Sequence, residues 1–157
     1  MSELVTKADE ITIQGYRFLT RDVRSRVINE WLFQSHQPPA RAAEILNQRA
    51  NFSGVANRNV SPKGTTLNDW IKRNSAPRWA CVTAFTLCIE KGWIPSTPAQ
   101  WAMYAYYFVD LYVSETTRIS DISKRIVDLS GNGIDKTCAL GWICAALEVS
   151  QKNGKKK

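Results

Sequence analysis

The sequence predicts a mostly helical protein. Apolar residues recur at intervals of three and four over most of the chain, the spacing that places side chains on one face of an α-helix. Stretches rich in proline, glycine and asparagine separate these segments and mark the ends of about six or seven helices. Only "ITIQGYRFL" alternates apolar and polar residues, which allows one short strand over Ile11 to Leu19. We therefore expect an all-α fold in which that strand is the one exception.

The first two helices are predicted between residue 20 and the middle of the chain. Thr20 is a suitable N-cap, and apolar residues at helical spacing continue to about Gln34. The segment "SHQPP" ends this helix, and Pro39 can occupy the first turn of the next one. The stretch "NFSGVANRNVSPK", Asn51 to Lys63, then predicts a loop longer than most connections, and such loops are often functional.

Two helices are predicted after this loop, and three more complete the chain. The first is short, runs from Thr65 or Thr66 to Arg73, and turns Leu67, Trp70 and Ile71 inward. The second, from about Pro77 to Lys91, is apolar almost all round, which indicates the centre of a core. The later helices are predicted within "AQWAMYAYYFVDLYV", "ETTRISDISKRIVDLSG" and "IDKTCALGWICAALEVS".

The predicted helices group into four regions. Residues 1–19 are a lead-in, residues 20–92 hold the long loop and the helices around it, residues 93–150 form a C-terminal helical region, and residues 151–157 are a basic tail expected to fray. A chain of 157 residues can bury a core without disulfides or a metal.

The charge of the chain favours a polyanionic partner. The formal net charge is +7 and the pI is about 9.4, as is common for proteins that bind nucleic acid or an anionic membrane surface. Residues 1–80 carry a net charge of +5 and residues 81–157 a net charge of +2, so the N-terminal half is the favoured binding region. A solvated surface explains an excess of this size about equally well.

The residues that usually carry catalysis or bind metals form no recognisable motif. The four cysteines lie in apolar helical patterns without a CxxC pair, and the one histidine, His36, lies in a proline-flanked turn. We therefore expect no enzyme, no metal and no cofactor. No apolar run approaches the length of a membrane span, and the N-terminus does not have the pattern of a signal peptide. A cytoplasmic protein with free thiols is expected.

Residues 39–73 have the pattern of a supporting helix followed by a connection and a recognition helix, the three parts of a DNA-binding motif. The outward face of the short helix would read base edges, since threonine meets thymine methyl groups, asparagine pairs with adenine, and lysine and arginine meet guanine or phosphate. The predicted base-reading residues are Thr65, Thr66, Asn68, Lys72 and Arg73, and the predicted phosphate contacts are Arg49, Arg58, Lys63 and Arg78.

This stretch resembles the helix-turn-helix regulators of the lambda-repressor and Cro type, found in phages and bacteria. The resemblance covers about 50 of the 157 residues, within about residues 39–92. It rests on Val60, Ser61, Thr66, Leu67, Trp70 and Pro77, followed by the apolar helix from Trp79 to Lys91. It implies a helix-turn-helix bundle that binds double-stranded DNA, as repressors do. The connection before the recognition helix is longer than the tight turn of that family, with "PKG" inserted after Ser61.

The aromatic helix over residues 99–113 supports two alternatives. If the protein is a DNA-binding homodimer, its interface would involve Trp101, Tyr104, Tyr107, Phe108 and Tyr112, although these aromatics also suit an ordinary core. Alternatively, the chain is an adaptor or inhibitor that binds another protein through this helix. Stacking on single-stranded bases is less favoured, because the aromatic and the basic clusters lie in different halves of the chain.

Overall fold

The computed structural model describes residues 9–155, in which the secondary-structure elements are α-helices with no strand, so the predicted all-α fold is confirmed for that part of the chain. The helices are α1 (Glu10–Leu19), α2 (Val23–Ser35), α3 (Pro39–Phe52), α4 (Gly64–Arg73), α5 (Arg78–Glu90), α6 (Pro98–Tyr112), α7 (Ile119–Ser130) and α8 (Lys136–Lys155). Of the predicted basic tail, residues 151–155 continue α8, and Lys156 and Lys157 lie outside the described range.

The segment that allowed an N-terminal strand is helix α1. Asp9 caps this helix, since its carboxylate accepts a hydrogen bond from the backbone N–H of Thr12 at 2.7 Å. Ile13 and Tyr16, three residues apart, are buried, whereas Ile11 is exposed. The alternation in "ITIQGYRFL" therefore does not separate a buried face from a solvated one. Helical spacing does separate the buried face from the solvated one. In addition, no neighbouring strand exists in the described range to pair with this segment.

Thr20 ends a helix instead of beginning one, contrary to the prediction. Its hydroxyl donates to the carbonyl of Tyr16 at 2.8 Å, and α2 begins three residues later, at Val23. Serine and threonine bond to backbone groups at both helix ends, so the residue type alone does not decide between them. Pro39 occupies the first position of α3, as predicted.

Residues 22–93 form one compact unit, called here the central unit, which contains α2 to α5. Helix α5 packs on both α2 and α3 and is buried almost all round. The indole N–H of Trp31 donates to the carbonyl of Ala42 at 3.1 Å, which joins α2 to α3 inside the core. Burial of the large side chains Trp31, Leu46 and Phe85 is the main stabilising contribution to this unit.

The terminal unit comprises residues 1–21 and 94–157, of which 9–21 and 94–155 are described. Here α8 packs on α1, α6 and α7, and α1 also packs on α6. The lead-in segment predicted over residues 1–19 therefore contains a helix that contacts the C-terminal helices, and residues 1–8 lie outside the described part. No helix between residues 9 and 155 has both the length and the apolar character needed to span a bilayer.

Candidate nucleic-acid interface

Helix α4 carries the predicted base-reading residues on its outer face. Leu67 is completely buried, and Trp70 and Ile71 are half-buried beside it. On the opposite side Thr65, Asn68, Asp69, Lys72 and Arg73 are exposed, while Thr66 is half-buried at the edge. The helix therefore has the inward apolar stripe and outward polar face that the sequence predicted.

The beginning of α4 lies directly against the beginning of α3. A Cβ atom placed on Gly64 would lie 2.8 Å from the backbone nitrogen of Ala40 and 3.1 Å from Cβ of Pro39. Glycine is therefore required for this close approach. Residues 53–63 lead from the end of α3 back to its beginning, so the connection is not a tight turn. As a result, the N-terminal ends of the two helices lie together, and neither has an acidic residue in its first turn.

The end of α4 is fixed to the beginning of α2. Asn74 adopts a left-handed conformation with φ of 53°, and its side-chain oxygen accepts a hydrogen bond from the backbone N–H of Ser25 at 2.8 Å. The hydroxyl of Ser25 donates to the carbonyl of Ile71. Asparagine after the last helical residue is a known sign of such an ending. Its pairing with Ser25, 49 residues earlier, has no local signal.

The long loop, residues 53–63, is held in place by Asn51. The Asn51 side chain donates from Nδ2 to the carbonyl of Arg58 at 2.6 Å and accepts from the backbone N–H of Arg58 at 2.9 Å. The backbone N–H groups of Val55 and Ala56 both donate to the carbonyl of Ala50. These hydrogen bonds give the loop a defined conformation.

Arg58 also attaches the loop to the helices through two tryptophans. Its guanidinium lies 5.0 Å from the ring centroid of Trp79, and Trp79 packs edge-on against Trp70 with 6.0 Å between centroids. Arg58 nevertheless remains exposed, so its positive charge is presented to solvent beside α4.

The four predicted phosphate-binding residues differ in their surroundings. Lys63, Arg58 and Arg78 are exposed. The guanidinium of Arg49, in contrast, is bound by both carboxylate oxygens of Glu90, one of them at 2.6 Å, and this hydrogen bonding raises the pKa of Arg49. Arg49 would have to leave Glu90 to bind a phosphate, so the structure favours Lys63 and Arg58 over Arg49.

Four of the five residues predicted at a dimer interface are inside the chain. Trp101, Tyr104, Tyr107 and Phe108 are at most 7% exposed, and burial raises the pKa of Tyr104 to about 12. The fifth, Tyr112, is half-buried under the guanidinium of Arg125, which lies 5.0 Å from its ring centroid. These side chains serve as core in this chain, whereas Tyr106 on the same helix is exposed.

The described part of the chain has three further features that bear on its chemistry. Among the residues that the structure describes, no three His, Cys, Asp or Glu side chains are arranged to bind a metal. His36 is the exposed, left-handed residue that ends α2, with its ring centroid 6.3 Å from that of Phe33. A cavity of about 560 Å³ in the terminal unit is lined mainly by Val109, Val113 and Leu147, with Glu115 as its charged group.

Comparisons of the chain with protein families, with curated proteins and with solved structures gave no match.

Proposed function

We propose that the protein is a sequence-specific regulator of the phage or bacterial type that binds double-stranded DNA, with α4 in the major groove. The observation that carries this proposal is a short helix fixed at both ends by other helices, with a polar and basic face turned to solvent. Fixing the reading helix before binding lowers the entropy cost of forming specific base contacts.

The chemistry of the α4 face suits base recognition. Thr65 and Asn68 lie in the first half of the helix, the part that contacts base edges in helix-turn-helix proteins, and Asn68 can bond both hydrogen-bonding groups of adenine. Thr66 borders this region. Lys72 and Arg73 in the last turn can reach guanine or the flanking phosphates. Neither Lys72 nor Arg73 forms an ion pair within residues 9–151.

The surroundings of α4 suit the DNA backbone. The central unit contains ten basic and five acidic residues, a net charge of +5, in the region that holds α4. Lys63, Arg58 and Arg78 are exposed there. The adjacent beginnings of α3 and α4 add two partial positive charges, which favour a phosphate. A cytoplasmic homodimer bound to two half-sites is the assembly that this proposal implies.

The proposal is tested by selecting bound duplexes from a random-core pool and titrating the selected site with salt. We expect one enriched motif and an affinity that falls steeply with salt, because each phosphate contact releases counterions. Asn68→Ala should lower the preference for the selected site, and Lys72→Ala should reduce the salt slope by about 1 if Lys72 contacts a phosphate.

Lys124→Ala is the matched control, because Lys124 is an exposed lysine on α7 in the terminal unit. It should leave both the site preference and the salt slope unchanged. Binding without enrichment of any motif would contradict sequence-specific recognition, and the absence of binding to duplex DNA would contradict the proposal as a whole.

A further inference from the structure

Helix α1 has a second apolar face that the described residues leave largely exposed, with the guanidinium of Arg21 5.2 Å from the ring centroid of Phe18. Ile13 and Tyr16 are buried on one side of the helix, but Ile11 is 85% exposed and Phe18 is 63% exposed. Residues seven apart lie on the same face of an α-helix, so these two side chains form one stripe about 10 Å long.

Two opposite charges border the stripe on the same side. Glu10 and Arg17 are both exposed and are also seven residues apart, so they lie in line along the helix. The distance of about 10 Å between their positions along the axis is too large for an ion pair within one helix. The face is therefore acidic at its N-terminal end, apolar in the middle and basic at its C-terminal end.

We propose that this face binds the same face of a second copy, with the two α1 helices antiparallel about a two-fold axis. Antiparallel pairing places Ile11 of one copy on Phe18 of the other, and the two-fold operation repeats this contact. It also brings Glu10 of each copy beside Arg17 of the other. The order of charges along α1 is therefore complementary to that of a second α1 when the two helices are antiparallel.

The register of such a pair follows from the residue numbers. If Ile11 lies opposite Phe18, the axis passes between residues 14 and 15. Arg17 of one copy is then level with residue 12 of the other, about 3 Å along the helix from Glu10 and within reach of its carboxylate. Exposed Gln14 lies next to the axis, where the two side-chain amides can bond to each other.

A second copy fits this face better than other partners do. Glu10 offsets one of the two positive charges beside the stripe, Arg17 and Arg21, so a polyanion such as DNA gains little from this face. Exposed isoleucine and phenylalanine are stabilised by a partner that has apolar side chains at the same spacing. A contact between two ten-residue helices is smaller than the roughly 1,200–2,000 Å² of a standard stable interface, so a weak dimer is expected.

The dimer does not depend on DNA binding, although it would supply the two-fold symmetry that the proposed function implies. Its test is therefore made without DNA, by sedimentation velocity of the full chain from micromolar to near-millimolar concentration. We expect reversible dimerisation of the unmodified protein. Glu10→Arg and Arg17→Glu should each weaken it by about tenfold or more, because each places like charges opposite one another.

The decisive measurement is the mixture of the two single variants. In a heterodimer the new arginine of one variant lies against the new glutamate of the other, and the second contact is the original pair of Glu10 and Arg17. Mixing should therefore restore association to within about threefold of the unmodified protein.

Lys124→Glu makes the same kind of charge change on α7 and should have no effect, while circular dichroism verifies that each variant is folded. A monomer at all concentrations, single variants that still dimerise normally, or a mixture that fails to associate would each overturn the proposal.

Discussion

At the residue scale, three small polar or flexible residues determine where α4 lies. Gly64 permits contact with the beginning of α3, Asn74 receives a hydrogen bond from the beginning of α2, and Asn51 holds the loop between α3 and α4. None of them contributes much apolar burial. Their effect is to satisfy backbone groups and avoid clashes at the places where helices end, which gives the outer face of α4 a fixed orientation.

Gly64→Ala should destabilise the protein even though alanine favours helices. The new methyl group would lie 2.8 Å from the backbone nitrogen of Ala40, and that backbone atom cannot move as a flexible side chain can. We expect the free energy of unfolding to fall by about 1–3 kcal/mol, the usual range for overpacking. Urea denaturation followed by circular dichroism measures this change.

Gly141→Ala is the control for the previous substitution. Gly141 is also inside a helix, but a Cβ atom there meets no other atom within 4 Å. Alanine at this position should stabilise the protein by about 0.5–1 kcal/mol through its helix propensity. Equal stabilisation by both substitutions would contradict a close contact between the beginnings of α3 and α4.

At the scale of elements, the sequence predicted the helices well where apolar residues repeat and poorly where helices end. The stripe of Leu67, Trp70 and Ile71 placed α4 to within two residues. Thr20 was assigned to the wrong helix end, because a hydroxyl can bond to backbone at either end. The pairing of Ser25 with Asn74 depends on how two helices pack, which no local pattern contains.

The candidate site also combines features that the sequence predicted with features that it did not predict. That α4 exposes Thr65, Asn68 and Lys72 followed from its periodicity, since the inward residues fix the outward ones. The periodicity did not predict that Glu90 binds the guanidinium of Arg49, because the two residues are 41 positions apart. Long-range ion pairs decide which of several arginines is available, and they become visible only in three dimensions.

The long loop is an element with its own stabilising contacts, and Asn51→Ala should loosen it. The substitution removes the two hydrogen bonds to the backbone of Arg58, so the free energy of unfolding should fall by about 1 kcal/mol. The equilibrium constant for local opening of the loop should increase by more than this change in the free energy of global unfolding implies. Faster trypsin cleavage after Arg58 and faster amide exchange in residues 53–60 would report it.

Asn57→Ala provides the matched comparison, since Asn57 is an exposed asparagine in the same loop. Cleavage after Arg58 should proceed at the rate of the unmodified protein. Equal cleavage rates in both variants and the unmodified protein would mean that Asn51 does not hold the loop.

At the scale of the whole molecule, helix α1 belongs with helices more than 70 positions later in the chain. It packs on α6 and α8, so the terminal unit is built from both ends of the chain while the central unit is continuous. The sequence could not show this, because the pattern of α1 identifies a buried face but not what covers it. The predicted change of region at residues 92 and 93 lies beside the limit of the central unit at Trp93.

This arrangement predicts that two fragments behave differently. Residues 22–93 contain all four helices of the central unit and a core that includes Trp31, Leu46 and Phe85, so they should fold cooperatively when expressed alone. Residues 94–157 lack Ile13 and Tyr16, whose burial covers α6 and α8, so they should melt broadly. Adding a peptide of residues 1–21 should sharpen that transition and raise its midpoint, because a ligand that binds only the folded form stabilises it. Thermal melts of each fragment by circular dichroism test this, and a sharp transition for residues 94–157 alone would show that α1 is dispensable for the core.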